Sequence, residues 1–390
     1  MSKHHAICSR QLSLRAPKSA ERLIPRRAPS RSSPLFDISS DLLALHGWND
    51  RCTAHFADQD PQLQVARIVH VERDRATAVT ASGFVTVMCD LMASVGDWVG
   101  LTEAGDTQRP HVVSHVMAPW SRLTRLDPAS HSHHHDTMQV LASNIDVVFL
   151  TVPLGRRLSA KRIEREQLAV WDSGARPIVL LTKADRHPDP GEVATDLLDR
   201  MVGAEVIVTA AVAGHGIAAV RDILSQGITG LMLGASGAGK STLSNALIGA
   251  DVMSTGDVRL LDARGKHTTT SRHLFAVPTG GVLIDSPGIR SLGLANDASA
   301  SLDAVFADIV ELAAQCRFSD CAHDTEPGCA VRSAVDDGEL AADRLVSWRK
   351  LGREVAALER RSDPLAQAAE RALWKQRTKQ YRTHPKYQKR

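Results

Sequence analysis

The order of its motifs constrains this chain more than any other feature. Gly234-Ala235-Ser236-Gly237-Ala238-Gly239-Lys240-Ser241 follows an apolar run at 231–233 and opens a helical stretch at 242–248. A strand, a glycine-rich turn and a helix in that sequence make a phosphate cradle. Glycines let backbone N–H groups approach the phosphates, and the helix N-terminus adds partial positive charge. Lys240 is expected at the β- and γ-phosphates, and Ser241, with Thr242 beside it, at Mg²⁺.

A second signature, Thr182-Lys183-Ala184-Asp185, closes the apolar run 178–181. A carboxylate at Asp185 accepts two hydrogen bonds from guanine N1 and N2, a match that adenine cannot make. Lys183 is expected to lay its stem over the base plane. Most such sites carry Asn where Thr182 stands; Thr keeps a hydroxyl but loses the amide, so the base side is expected to be held more loosely. Thr209-Ala210-Ala211 reads as a weak final motif that closes over the base. In an ordinary GTPase the base-reading signature follows the phosphate loop, whereas here it precedes it. A doubly wound sheet can be opened in one loop and rejoined at its old termini without moving the site. The chain therefore reads as a circularly permuted, Ras-like P-loop GTPase with a mostly parallel sheet and flanking helices.

Downstream come Gly265-Lys266-His267-Thr268-Thr269-Thr270 and Asp285-Ser286-Pro287-Gly288. Asp285 is expected to hold Mg²⁺ through a water, and the Gly288 amide to meet the γ-phosphate. Thr268 or Thr269 should complete the Mg²⁺ shell. Hydrolysis needs a positioned water, which a Gln orients in Ras-like enzymes. That position is Ile289 here, which can neither donate nor accept. His267 is the nearest candidate catalytic residue.

Cys316-x4-Cys321-x-His323-x5-Cys329 offers three thiolates and one imidazole. This is a closed tetrahedral set for one structural Zn²⁺. Cys8, Cys52 and Cys89 are scattered and read as ordinary thiols. The run His131, His133, His134 and His135 reads as a solvated loop.

The patterning divides the chain into four parts. Residues 1–36 form a basic, Pro-rich arm with too few apolar residues for a core, with the composition of a transit peptide as a minor alternative. Residues 37–118 alternate in short runs between turns, as in a small β-barrel. Periodicity alone leaves an OB-fold and an SH3-like barrel both open. Trp98 reads as core. Residues 119–299 alternate strand and helix, with strands at 145–152, 178–182, 206–209, 231–233, 274–277 and 282–285, and with Ile163, Gln167, Leu168 and Trp171 on one helical face. Residues 300–390 are helical, with Leu302, Val305, Phe306, Ile309 and Leu312 running as one stripe into Cys316.

A hydrophobic content of 43% can fill real cores, and no apolar run approaches the ~18 residues that span a bilayer. With no signal-peptide pattern, a cytoplasmic, monomeric protein without a membrane partner is expected. Net charge is only +3, but residues 1–35 hold eight Lys/Arg against one acid, and residues 344–390 hold fourteen against four. Two basic arms on an acidic middle point to a polyanion partner, with solubilising tails as the alternative.

Together these residues resemble the RsgA (YjeQ) family of small-ribosomal-subunit-dependent GTPases. The resemblance rests on the permuted order, the Gly265–Thr270 switch and Cys316-Arg-Phe-x-Asp-Cys-x-His-x-x-Glu-Pro-Gly-Cys329. It implies a multidomain α/β protein: an N-terminal OB-fold barrel, a permuted GTPase domain and a C-terminal helical zinc-binding domain. It also implies GTP/GDP with Mg²⁺, one structural Zn²⁺, late maturation of the small ribosomal subunit, contact with its rRNA, and a catalytic role for His267. An alternative is a GTP-loaded RNA clamp in which turnover is incidental. An ATPase is disfavoured by Asp185.

Overall fold

The computed structural model describes residues 41–72, 75–88, 93–102, 111–126, 138–155, 158–201, 204–249, 272–285, 292–294 and 298–362. The N-terminal basic arm, residues 363–390 of the C-terminal one, the histidine run at 131–135 and the expected site residues His267, Thr268, Thr269 and Gly288 lie outside them.

After the short helices α1 (Asp41–Leu45) and α2 (Asp50–Phe56), five strands close a small barrel. They are β1 (Gln64–Val71), β2 (Arg75–Thr80), β3 (Gly83–Met88), β4 (Trp98–Thr102) and β5 (His111–Val116). β1, β2 and β3 form an antiparallel meander, β3 runs parallel to β5, and β4 pairs with both β5 and β1 to shut the ring. Alternation puts Ala66, Ile68, Ala78, Val87, Val99 and Leu101 inside. Alanines at several inward positions suit a ring this narrow. Asn49 caps α2 by accepting from the Arg51 and Cys52 amides. Cys52 and Phe56 then pack with Leu43, Trp98 and Met117, so Trp98 is core, as expected.

A hairpin that the sequence reading did not resolve, β6 (Arg122–Leu126) with β7 (Met138–Ser143), leads into the second layer. There β8 (Val147–Pro153), α3 (Ala160–Asp172), β9 (Arg176–Thr182), α4 (Pro190–Arg200), β10 (Val206–Val208), α5 (Ile217–Ile223), β11 (Thr229–Leu233) and α6 (Lys240–Ile248) alternate, followed by β12 (His273–Ala276) and β13 (Val282–Asp285). The sheet order is β10-β9-β8-β11-β13-β12. β11 lies between β8 and β13 and is parallel to both, and only β12 runs antiparallel to its neighbour. Strands buried on both faces read as continuous apolar runs, which is why the sequence located them. The expected face of α3 is partly corrected: Ile163, Gln167 and Leu168 are buried, but Trp171 is 36% exposed.

β12 also pairs with barrel strand β1 through His70 and His273, joining ring and sheet into one hydrogen-bonded surface. Behind this junction lies Arg67, which is fully buried. Its guanidinium donates to the carbonyls of His46, Gly96 and Asn144 and to the Thr229 hydroxyl, and lies 4.9 Å from the Trp98 ring centroid. Burial pulls its pKa down to about 10, still far above neutrality, so the side chain stays charged.

Four helices follow: α7 (Ala298–Val305), α8 (Ala307–Ala313), α9 (Ala330–Asp336) and α10 (Ala342–Ser362). The single stripe expected from 302 to 312 is broken at Phe306, whose φ of −116° and ψ of 40° leave the helical region. The break lets both short helices turn their apolar sides inward, with Leu302, Val305, Phe306 and Ile309 all buried. Between α3 and α10, Arg344 pairs with Glu164 at 3.2 Å and with Asp308 at 2.6 Å, and stacks over Phe306. No described helix is long and apolar enough to cross a membrane.

Candidate nucleotide site and metal knuckle

The loop after β11 takes the shape its glycines permit. Gly234 sits at φ +154°, and a Cβ there would lie 2.1 Å from Thr151 Oγ1. That hydroxyl donates to the Leu233 carbonyl at 2.9 Å, so any side chain at 234 would displace a buried strand-to-strand bond. Gly239, at φ +96°, turns the chain into α6. Lys240 is 9% exposed and folds back over the loop, donating to the carbonyls of Gly234 at 2.8 Å and Ala235 at 3.0 Å. Burial lowers its pKa, and the nearby Asp285 carboxylate opposes that shift. Asp285 ends β13 in register with Met232 of β11. Parallel pairing thus brings the end of the switch strand beside the phosphate loop.

The base-reading segment arrives from the other side of β11. β9 delivers Thr182 at the same edge of the sheet, since parallel strands end together and ligands bind at their carboxyl ends. Lys183 adopts a left-handed conformation, φ 61°, which turns the chain sharply and sets Asp185 into a cleft. That cleft is lined by Thr182, Lys183, Asp185, Thr209, Gly239 and Leu243, so the two signatures share one wall although they stand far apart in the chain. Ala184 N–H donates to the Thr209 carbonyl, and the Thr209 hydroxyl to Leu181. The weak final motif therefore buttresses the base-reading loop. Thr182 is 4% exposed, and its hydroxyl donates to the Ala238 carbonyl at 2.6 Å. Thr182 thereby ties the segment 182–185 to the loop 234–241.

Three cleft residues were not singled out from the sequence, Arg186, Val212 and Leu243. Arg186 lies 3.8 Å from Asp185, and its position directly after the signature was a readable signal. Val212 is 84% exposed at the mouth; it sits in an Ala/Val/Gly stretch that carries no pattern.

Cys316, Cys321, His323 and Cys329 place one donor atom each within 4.8 Å of one another. Sγ of Cys316 and Cys329 are 3.9 Å apart, and His323 Nδ1 is 3.6 and 3.5 Å from them. Zinc bonds of ordinary length in a tetrahedron require edges of about 3.8 Å between sulfurs and about 3.6 Å from sulfur to nitrogen. The donor set and its spacing therefore fit zinc. Around it, Glu326 accepts from the amides of Ala322, Asp324 and Thr325. Arg349 donates to the His323 carbonyl. The other described cysteine, Cys52, is buried away from this group.

Comparison with known proteins places this geometry in context. Residues 122–295 match the model of the RsgA GTPase family. The small ribosomal subunit biogenesis GTPase RsgA of Streptomyces avermitilis is 41% identical over 88% of this chain and 93% of its own length. Its counterpart from Opitutus terrae is 36% identical over 84% and 94%. Among solved structures, YjeQ from Thermotoga maritima aligns with a TM-score of 0.54 at 23% identity, over 75% of this chain and 99% of its own. YloQ, described as a circularly permuted GTPase, aligns at 0.52 and 20%, over 76% and 96%. Those two structural matches speak for the fold. The sequence matches run through barrel, sheet and knuckle alike, and by them the chain belongs to the RsgA family of GTPases.

Proposed function

We propose that the protein hydrolyses GTP to GDP and phosphate and acts in maturation of the small ribosomal subunit. The observation that carries the nucleotide reading is the shared wall of Thr182–Asp185 and the phosphate loop, with Thr182 bonded to Ala238. A phosphate loop alone takes many nucleotides; a carboxylate at the base end selects guanine.

In this reading Asp185 accepts from the guanine edge, Lys183 covers the ring, and Ala184 is held in place by Thr209. Residues Gly234–Thr242 cradle the phosphates, with Lys240 exchanging the Gly234 and Ala235 carbonyls for phosphate oxygens. Ser241, Asp285 and one of Thr268 and Thr269 hold Mg²⁺, which neutralises charge on the β- and γ-oxygens. Gly288 meets the γ-phosphate, and His267 orients the attacking water. Cys316, Cys321, His323 and Cys329 hold one Zn²⁺, a cross-link for a knuckle too small to fold on its own core. The barrel and the two basic arms face rRNA, and the protein works as a cytoplasmic monomer.

The test is GTP hydrolysis with and without purified small subunits. Stimulation by the subunit, lost in His267→Ala while nucleotide binding persists, is the expected result. Equal stimulation in that variant would remove His267 from the chemistry, and no hydrolysis under either condition would leave a nucleotide-gated binder.

A further inference from the structure

Two arginines stand close together with no acid between them. Arg125 lies on β6, and Arg272 immediately precedes β12. Side chains alternate along a strand, so Arg272 shares a face with Leu274, which is buried in one cluster with Leu123 of β6 and Leu141 of β7. That packing brings the β6–β7 hairpin over the start of β12. Both arginines are held in place: the Arg272 carbonyl accepts from His70 Nδ1 at 3.0 Å, and Arg125 Nε donates to Gln139 Oε1 at 2.8 Å. Among the described residues no acceptor meets the Arg272 guanidinium, and its Nε is buried without a partner. Nor does a described carboxylate pair with either arginine. The charge that acts on Arg272 is a second cation: burial, and after it Arg125, pull its pKa down. Elsewhere in this protein buried guanidiniums are satisfied. Arg67 donates to three carbonyls and a hydroxyl, and Arg344 meets Glu164 and Asp308. A like-charge pair beside an orphaned buried donor costs stability unless an anion completes it.

We propose that Arg125 and Arg272 form a phosphate-binding site outside the nucleotide cleft, which takes a phosphate group of an RNA backbone or a free phosphate ion. Neither residue lines the cleft shared by Thr182, Asp185 and Gly239. A guanidinium presents paired N–H donors in a plane that matches two phosphate oxygens. Two such groups, one on the hairpin and one on the sheet, grip a single phosphate from two sides and receive from it the counter-charge that the pair lacks. Contacts of this kind position a strand without reading its bases, so the grip is indifferent to sequence. RNA as the source rests on the rRNA reading above; the anion site itself follows from the two side chains.

The experiment titrates the full chain, saturated with GDP to fill the cleft, with inorganic phosphate and separately with a uridylate decamer over a range of salt concentrations. Wild-type affinity for the decamer is expected to fall as salt rises. Arg125→Gln and Arg272→Gln should each flatten the slope of log K against log salt by about 0.7, the share of one phosphate contact on a single strand. The double variant should flatten it no further, because both side chains hold the same phosphate. A cytidylate decamer should give the same slopes. Uptake of inorganic phosphate that the variants abolish would support the site with a free ion as its ligand, whereas a loss confined to the decamers would support it with a backbone phosphate. Slopes and phosphate uptake that both variants leave unchanged would overturn the proposal. Urea denaturation separates a structural role. Relief of the repulsion should leave Arg125→Gln at least as stable as the wild type, and a destabilised variant with unaltered binding would overturn the proposal as well. Failure of the wild type to bind GDP would instead unseat the nucleotide reading, and no stimulation by small subunits the rRNA reading; the slopes are measured independently of both.

Discussion

The hydroxyl of Thr182 donates a 2.6 Å hydrogen bond to the backbone carbonyl of Ala238. One bond thus links the loop proposed to read the base to the loop proposed to hold the phosphates. Thr182→Val keeps the shape and removes the donor, leaving a buried carbonyl unpaired at a cost of about 1–3 kcal/mol. GDP and GTP affinities should fall together, since the bond lies away from the γ-phosphate, and Thr182→Ser should restore most of the loss. Isothermal titration checks this; a loss confined to GTP would contradict it.

In the proposed reading Asp185 sets the base preference by offering two acceptors. Asp185→Asn replaces one acceptor with a donor, so guanine loses a bond and xanthine, with a carbonyl in place of the exocyclic amine, gains one. Competition among GTP, XTP and ATP against a labelled guanine nucleotide should show GTP weakened by about 100-fold or more. XTP should improve, and ATP should remain poor in both proteins.

Glu164 and Arg344 form a buried pair across the seam between the nucleotide-binding layer and the C-terminal helices. Burial raises the Glu164 pKa, and the Ser347 hydroxyl and Arg344 oppose that shift. Glu164→Ala would strand part of the Arg344 charge, although Asp308 remains, and should destabilise the fold by about 3–5 kcal/mol. Urea denaturation measures it; a change below the surface-mutation range would show the pair to be solvated.

Removing metal from the knuckle should release one zinc per chain and lower the melting temperature, with lost protection concentrated at residues 316–329. Cys321→Ser should do the same without chelator. Guanine-nucleotide titration should be little affected, because neither the phosphate loop nor the Thr182–Asp185 segment draws on these ligands. A melting curve indifferent to chelation would remove zinc from the account.

Glu326 accepts three backbone amides of the knuckle, and its own and the Asp324 backbone N–H groups lead in holding its pKa down at about 2. A depressed carboxylate stabilises the fold above its unfolded value of about 4.3 and loses that contribution only as pH falls through its folded value. The stability gap between wild type and Glu326→Gln should therefore be flat from pH 8 to pH 5. Below about pH 4 the gap should narrow, and a gap that stays constant from pH 5 down to pH 3 would show the carboxylate to be unperturbed.

The sequence by itself determined the chemistry and its order. Gly234–Ser241, Thr182–Asp185 and Cys316–Cys329 were legible because phosphate cradles, base carboxylates and zinc sets need particular residue types at short spacing. The buried parallel strands were legible because burial on both faces leaves an unbroken apolar run. Only the tertiary structure decided what meets what. It spent the Thr182 hydroxyl on Ala238, exposed Trp171, broke the Leu302–Leu312 stripe at Phe306 and brought Val212 to the cleft. It joined the barrel through His70 to His273 of β12, the neighbour of the switch strand, and gave Arg165 its two partners, Leu292 and Glu354. Local pattern records the environment a residue prefers, whereas these contacts join residues far apart in the chain. Their partners are fixed by the register of strands and the packing of helices, which no short stretch of sequence encodes.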